Sequence, residues 1–322
     1  MTAALEVIAA GVHTTVQDRG RRGFQDVGLP ASGPLDRIAF RLANALVGNA
    51  PDAATLEILL QGPTLKVRAD SVRVALVGSA ARIEVSSEPR RIIPEGQSVR
   101  LVRDEIFRIG ALGDSLCAYL AIAGGIDVPR VLGSASTYVR GAIGGIDGRR
   151  LRKNDVLPLR HDSVDERPER ALAAPFELAL EQPIRVVLGP QHDYFTQDAV
   201  KTLLSADYTV SPHADRMGYR LEGPPLAHAK GYNIVSDGIV TGSMQVPGNG
   251  QPIVLMVDNQ TTGGYPKIAT VISADIPVVG RRRPGRKIRF AAVDVTEAER
   301  LRKEQEAMIE RIVNDFRAIE AV

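Results

Sequence analysis

Through the first half of the chain, short apolar runs alternate with turn residues: 55–60, 64–67, 72–77, 81–85, 98–102, 106–109 and 115–122. Runs of this length, punctuated by Gly, Pro, Asp and Ser, read as strands. Their rhythm predicts an all-β domain, a barrel or a sandwich, as far as about residue 160. An earlier strand over 6–16 breaks at Gly11, and only 36–47 shows helical spacing (Ile38, Leu42, Ala45, Leu46), closed by Gly48-Asn49. Residues 161–182 hold Asp, Glu, Arg and Pro with little periodicity before 171–180, and read as a connection. Strands resume at 184–188, 208–211, 234–235, 239–245, 253–257, 268–272 and 287–293, with a helix over 193–204. A long helix is predicted over 296–319, with Thr296 and Glu299 as a capping box. Leu301, Met308, Ile309, Ile312, Phe316 and Ile319 form its apolar stripe, which packs on its own barrel or serves assembly. The resulting division is a first β half at 1–160, a connection at 161–182, a second β half at 183–294 and a terminal helix at 295–322.

The halves also look alike. Ser32-Gly-Pro-Leu-Asp-Arg-Ile-Ala-Phe-Arg-Leu42 and Ser211-Pro-His-Ala-Asp-Arg-Met-Gly-Tyr-Arg-Leu221 share Ser, Asp, Arg, Arg and Leu in step. Gln61-Gly-Pro-Thr-Leu65 echoes Glu222-Gly-Pro-Pro-Leu226, and Gly124-Gly125 echoes Gly263-Gly264. Two tandem copies of one β-domain account for this.

Composition narrows the field. A length of 322 residues suggests two domains, and 44% hydrophobic content suits an ordinary globular protein. A net charge of +2 gives no overall pull towards nucleic acid or membrane, and with 4% aromatic content and no Trp a base-stacking platform is not expected. No apolar run approaches the roughly 18 residues of a membrane span, and residues 1–12 lack a basic leader region, so cytoplasmic residence is expected. A single cysteine excludes an internal disulfide framework, and Cys117, inside an apolar run, reads as core. The five histidines share no ligand spacing, so no metal is expected; His213 beside Asp215 is the one candidate for proton transfer.

The densest chemistry lies in 252–268. Apolar 253–257 gives way to Asp258, Asn259, Gln260, Thr261 and Thr262, then to Gly263-Gly264-Tyr265-Pro266-Lys267 and a second apolar run. A polar turn pinned between buried strands can hold a small polar molecule, or its side chains can cap only the turn itself. Asp258 to Thr262 offer donors and acceptors at every position. Gln245, before Pro247-Gly248, is a further pocket candidate. Asp215-Arg216 and Asp36-Arg37 are either paired anchors on a cleft or internal ion pairs holding each turn. Gln17-Asp18-Arg19 can close over a substrate or form a hydrogen-bond hub. The run 281–287, with five basic residues, can touch phosphates or form a solvated hairpin tip.

Four stretches carry a resemblance: Thr15-Val-Gln-Asp-Arg-Gly-Arg21, Leu42-Ala-Asn-Ala-Leu-Val-Gly-Asn49, Asp215-Arg-Met-Gly-Tyr-Arg-Leu-Glu-Gly223 and Asp258-Asn-Gln-Thr-Thr-Gly-Gly-Tyr-Pro-Lys-Ile-Ala-Thr270. They resemble the family of the 5-oxoprolinase C-subunits, also labelled allophanate hydrolase subunit 2 or biotin-dependent carboxyltransferase family proteins. The likeness spans about residues 6–293. It implies a mainly β fold of tandem cyclophilin-like β-barrel domains with a few helices; the terminal helix lies outside it. It also implies two partners, the 5-oxoprolinase B-subunit and A-subunit, which together with this chain convert 5-oxoproline to glutamate at the expense of ATP.

On that basis Asp258, Lys267 and Asp215 are the expected catalytic residues. Gln260, Thr261, Thr262, Gly263, Gly264, Tyr265, Gln245, Arg216, Gln17 and Arg19 are expected to bind substrate. The chain lacks G-x-x-x-x-G-K-[ST] and a biotin-attachment lysine between methionines, so ATP enters through the complex and biotin only as a carrier from another chain. Two other readings stay open: a biotin-dependent carboxyltransferase component acting on a urea-like acceptor, and a non-enzymatic regulator of a kinase-inhibitor protein. The chain departs from the family pattern at Arg281, where a Gln usually stands, and at Asn154, where a Gly is expected. An arginine lining the pocket would favour an anionic ligand.

Overall fold

The computed structural model describes residues 3–176 and 180–320; residues 177–179 of the expected connection lie outside the described residues. The chain is mainly β and divides into two compact units. Unit 1 comprises Met1–Arg21, Ser32–Glu177 and Met308–Val322; unit 2 comprises Arg22–Ala31 and Leu178–Ala307.

In unit 1 a six-stranded sheet runs in the order Val156–Pro158, Ala4–Ala9, Thr64–Val67, Ile106–Ile109, Ile83–Val85, Arg91–Ile93. A five-stranded sheet runs His13–Gln17, Thr55–Leu59, Cys117–Ile122, Ser71–Val77, Ser98–Val102. Alternating residues of both sheets, among them Leu5, Val7, Leu56, Ile58, Leu65, Val74, Leu120 and Phe107, form one buried core. Ser71–Val77 and Cys117–Ile122 are buried at every position because helix α1 (Arg37–Val47) covers their other face. Continuous apolar strands are what two-sided burial selects. The helix forms where the sequence places it: Asp36 Oδ1 accepts from the backbone N–H groups of Ile38 and Ala39 at 2.9 and 3.1 Å, and Gly48 closes it at φ +86°.

Unit 2 holds an eight-stranded sheet in the order Lys287–Ile288, Tyr208–Val210, Gly218–Glu222, Ile253–Leu255, Ser243–Gln245, Lys267–Val271, Ile184–Leu188, Phe290–Ala292. Its first and last strands flank a single residue, Arg289, so the sheet nearly closes on itself as a barrel. Tyr208, Tyr219, Leu221, Met244, Val254, Ile268 and Phe290 are buried in this unit. Helix α2 spans Gln197–Ser205, capped by Thr196, a shorter helix than the spacing predicts because His192–Tyr194 forms a separate 3-10 turn.

Several expectations need correction. Helix α3 (Ile276–Arg281) is not expected from the sequence pattern: Pro277 in its first turn looks like a breaker but is tolerated there, where an N–H would be unsatisfied anyway. It buries Arg281, and Arg282 after it is buried too, so only the later part of the 281–287 run is a solvated tip. Helix α4 (Val295–Asn314) starts earlier and stops sooner than 296–319. Its cap is Asp294, whose Oδ1 accepts from Glu297 N–H at 2.7 Å, and Arg317–Ile319 is a strand paired antiparallel with Glu169–Ala171. That pairing satisfies backbone groups from the end of the chain with a segment read as connection. Residues 234–235 are not a strand; the short strand nearby is Asp237–Gly238.

The paired Asp-Arg segments also fold differently. Residues 37–47 are helical, whereas Gly218–Glu222 is a strand in which Tyr219 and Leu221 are buried and Arg220 and Glu222 exposed. Gly218 disfavours a helix in the second copy, and pairing of Gly218, Tyr219 and Arg220 with Leu255, Val254 and Ile253 holds it extended. Asn154 occupies φ +69°, a left-handed conformation that Gly adopts freely and Asn tolerates, which accounts for that departure.

Candidate functional site

The polar loop of unit 2 is assembled by strand ends. Strand Ile253–Leu255 delivers Asp258, and Lys267 opens the strand Lys267–Val271, which pairs with Ser243–Gln245. Lys267 is buried, 4% exposed, and its Nζ lies 2.7 Å from Asp237 Oδ2. The ammonium beside Asp237, together with the Gly238 N–H, holds that carboxyl below its ordinary range. Gln191 completes the group: its Nε2 donates to Asp237 Oδ2 at 3.2 Å while its Oε1 accepts from the Lys267 N–H at 3.2 Å. The segment carrying Asp237 is tied to the loop through the pairing of Asp237–Gly238 with Thr262–Gly263. Bonds from Ile239 N–H to Thr261 O (3.0 Å) and from Ile234 N–H to Gly264 O (2.9 Å) reinforce it.

Next to this group lies a chain of amides. Gln260 Nε2 donates to Gln245 Oε1 at 3.3 Å, and Gln245 Nε2 donates to Tyr265 O at 3.4 Å. A Cβ on Gly263 would stand 2.5 Å from Gln245 Nε2, so the glycine lets the loop lie against that amide. Tyr265 is 40% exposed, and Gln260 and Thr262 face solvent. The structure thus brings Gln245, Gln260, Gly263, Tyr265 and Lys267 together, with Thr261 and Gly264 supplying carbonyls. The resulting group combines one buried, paired cation with several amide groups.

Asp258 is engaged differently. Its two oxygens accept from Arg216 Nε at 2.8 Å and Nη2 at 3.1 Å, a two-pronged pair buried on both sides. Asp215 is exposed, and its Oδ1 accepts from the N–H groups of Met217 and Gly218 at 2.8 and 3.2 Å, so it caps its own turn. His213 is exposed as well.

Gln17 and Arg19 belong to unit 1. Gln17 is buried, with Nε2 bonded to Thr15 Oγ1 and Thr137 O, both at 3.1 Å, and Arg19 is an exposed residue 3.9 Å from Asp52. Between them Asp18 is a buried hub taking bonds from Ser134 Oγ, Ser136 Oγ and the Ala135 and Gly20 N–H groups. Burial pushes the Asp18 carboxyl up, but these four donors outweigh it and leave it below its usual value. Among the described residues no group of three His, Cys, Asp or Glu side chains is arranged to hold a metal ion, and no helix is long and apolar enough to cross a membrane.

Asp237 and Gln191 are the residues of this site that the reading of the sequence did not single out. Asp237 is followed by Gly in an exposed segment, and nothing local marks it. Its partner lies 30 positions away, and only the barrel joins them.

Comparison with known proteins places the chain in context. Residues 27–292 match the family model described as carboxyltransferase domain, subdomain A and B. The 5-oxoprolinase C-subunit of Escherichia coli K12 is 37% identical over 96% of this chain and 97% of its own length. That of Haemophilus influenzae is 34% identical over the same shares. The crystal structure of the K. lactis urea amidolyase superposes with a TM-score of 0.86 at 31% identity, over 97% of this chain and 20% of that larger one.

Proposed function

This chain belongs to the family of the carboxyltransferase domain, subdomain A and B, and from that membership we propose that it is a cytoplasmic component of an ATP-dependent 5-oxoprolinase, opening 5-oxoproline to glutamate together with partners of the B and A type. The observation that carries this reading is the buried Lys267, which pairs across the sheet with Gln245, itself bonded to the Gln260 amide. A 5-oxoproline molecule presents one carboxylate and one lactam. A fixed cation suits the first and paired amides suit the second.

A lactam carbonyl resists water, and ATP supplies activation by phosphorylating the amide oxygen; water then adds to the carbon, the C–N bond breaks to free the amine, and a second water hydrolyses the resulting acyl phosphate to carboxylate and phosphate. No part of this chain is assigned to the nucleotide. Its own residues bind and orient. Lys267 neutralises the substrate carboxylate, Gln245 and Gln260 read the lactam N–H and oxygen, and Asp237 holds the ammonium in place. The buried Asp258 carboxylate and Arg216 fix the turn that leads into the loop. Because the charges are fixed before substrate arrives, little reorganisation accompanies reaction.

A second reading rests on the superposition with the K. lactis urea amidolyase across 97% of this chain. In it the same surface takes part in carboxyl transfer, with biotin delivered by another protein. The test is reconstitution of the purified chain with its cognate B-type and A-type partners. ATP hydrolysis should depend on 5-oxoproline, require all three proteins and be indifferent to biotin. Biotin-dependent turnover of a urea-like acceptor would replace the first reading by the second, and the absence of either activity would favour the regulatory alternative.

A further inference from the structure

Outside the loop described above, unit 1 contains a cavity of about 480 Å³ at the C-terminal end of α1, lined by Arg73, Arg167, Arg170, His161, Ser163 and Asn49. A second cavity of about 410 Å³, which shares Arg170, Gly48 and Asn49 with it and adds Arg41 and Glu310, continues along the same helix. The three guanidinium groups of the first cavity are not equally compensated. Arg73 is buried and held by both oxygens of the buried Glu169, at 3.1 and 3.0 Å. Arg167 and Arg170 make no ion pair among the described residues. Each gives one N–H to a carbonyl at the end of α1, Arg167 Nη2 to Val47 O at 3.2 Å and Arg170 Nη1 to Ala45 O at 3.3 Å.

A guanidinium has five N–H donors, so the half-buried Arg167 and the exposed Arg170 can present several more to an oxyanion. Burial, followed by the charges of Arg73 and Arg170, holds Arg167 below the usual arginine range. The carboxylate-bearing residue in the cavity lining is Asp165, which is exposed. The His161 ring is seated on Gly124, where a Cβ would lie 2.3 Å from its Cδ2, so the imidazole is placed at the wall by close packing. Asn49 is already committed, to Asn44, Ile122 and Gly124, and builds the wall without contributing a free donor.

We propose that this cavity binds a small dianionic oxyanion, a phosphate group or a dicarboxylate, between Arg167, Arg170, His161 and Ser163. Planar guanidinium groups bind such oxygens two at a time, and a dianion relieves the repulsion among the arginines that Glu169 alone does not. Its chemistry differs from the lactam of the loop in unit 2, and the site stands whether or not the proposed activity does.

The experiment is calorimetric titration of the purified chain at constant ionic strength, with inorganic phosphate in one arm and succinate in the other, each against a matched chloride control. One arm should give saturable one-to-one binding and raise the melting temperature, and which arm does so identifies the source of the oxyanion. R167Q/R170Q should weaken that binding at least tenfold. S163D should do the same while leaving every arginine contact in place, so it keeps the test decisive if the double variant folds poorly. No binding above chloride in either arm overturns the proposal. So does wild-type affinity in either folded variant.

Discussion

Lys267 and Asp237 lie 30 residues apart in the chain and 2.7 Å apart in space, and they are unequal: the lysine side chain is 4% exposed, the aspartate 52%. Asp237 can return to water at small cost, whereas the ammonium cannot. Whatever displaces Asp237 must therefore be an anion, because a buried charge without a partner costs several kcal/mol.

That asymmetry predicts opposite effects of two substitutions. Lys267→Met keeps the stem and removes only the charge, so the melting temperature should barely move. Turnover of the reconstituted enzyme should fall by roughly 100-fold if the ammonium contributes about 2.7 kcal/mol to the transition state. Asp237→Asn strands the ammonium and should lower the melting temperature, though less than the loss of a fully buried partner would, because the aspartate is half in water. The double variant should recover most of that loss. Thermal shift and steady-state rates on the three proteins check the set; full activity of Lys267→Met removes the lysine from the catalytic account.

Arg216 and Asp258 form the other pair, buried on both sides. Removing one charge leaves the other uncompensated, at a cost of about 3–5 kcal/mol. Asp258→Asn should accordingly lower the melting temperature by roughly 6 °C or more. If Asp258 only holds the turn, protein that is still folded at low temperature keeps its turnover. An inactive but fully folded Asp258→Asn enzyme would instead assign the carboxylate to the chemistry.

Gly263→Ala tests the amide chain. The new methyl would meet Gln245 Nε2 at 2.5 Å and Ile239 Cδ1 at 2.6 Å, both ends of side chains that can turn aside. Stability should fall only slightly, while displacement of Gln245 raises KM for the lactam. An unchanged KM would place substrate away from Gln245.

Asp18 makes a prediction about acid stability. Its donors leave its folded pKa below the unfolded value, so its contribution is present above about pH 3.9 and is lost as pH falls through the lower folded pKa. Asp18→Asn should be less stable at neutral pH and should lose less stability than the wild type between about pH 4 and pH 2. Melting temperatures across that interval decide it; parallel curves would show that other carboxylates govern acid unfolding.

Much of the architecture is legible along the chain. Strand periodicity located most strands of unit 1, though not Arg91–Ile93, Val156–Pro158, Glu169–Ala171 or Arg317–Ile319, because one-sided burial imposes alternation and two-sided burial a continuous apolar run, and both leave their mark on neighbouring residues. The start and end of α1 were equally readable, since Asp36 and Gly48 act on backbone groups within three or four positions. The polar turn at 258–267 between two strands was legible from composition, but its role was not.

What the sequence could not settle was which polar groups meet. Asp258 and Lys267 look like one site in the chain, yet the first is turned towards Arg216 and the second towards Asp237. Arg281 reads as part of a solvated run but is buried at the end of α3, and residues 317–319 read as helix but pair with Glu169–Ala171. For Asp258, Lys267 and residues 317–319 the deciding contact lies far away in sequence. Local propensity is a matter of tenths of a kcal/mol per residue, while a buried charge or an unpaired strand edge is a matter of several, so the tertiary partner wins and leaves no local trace.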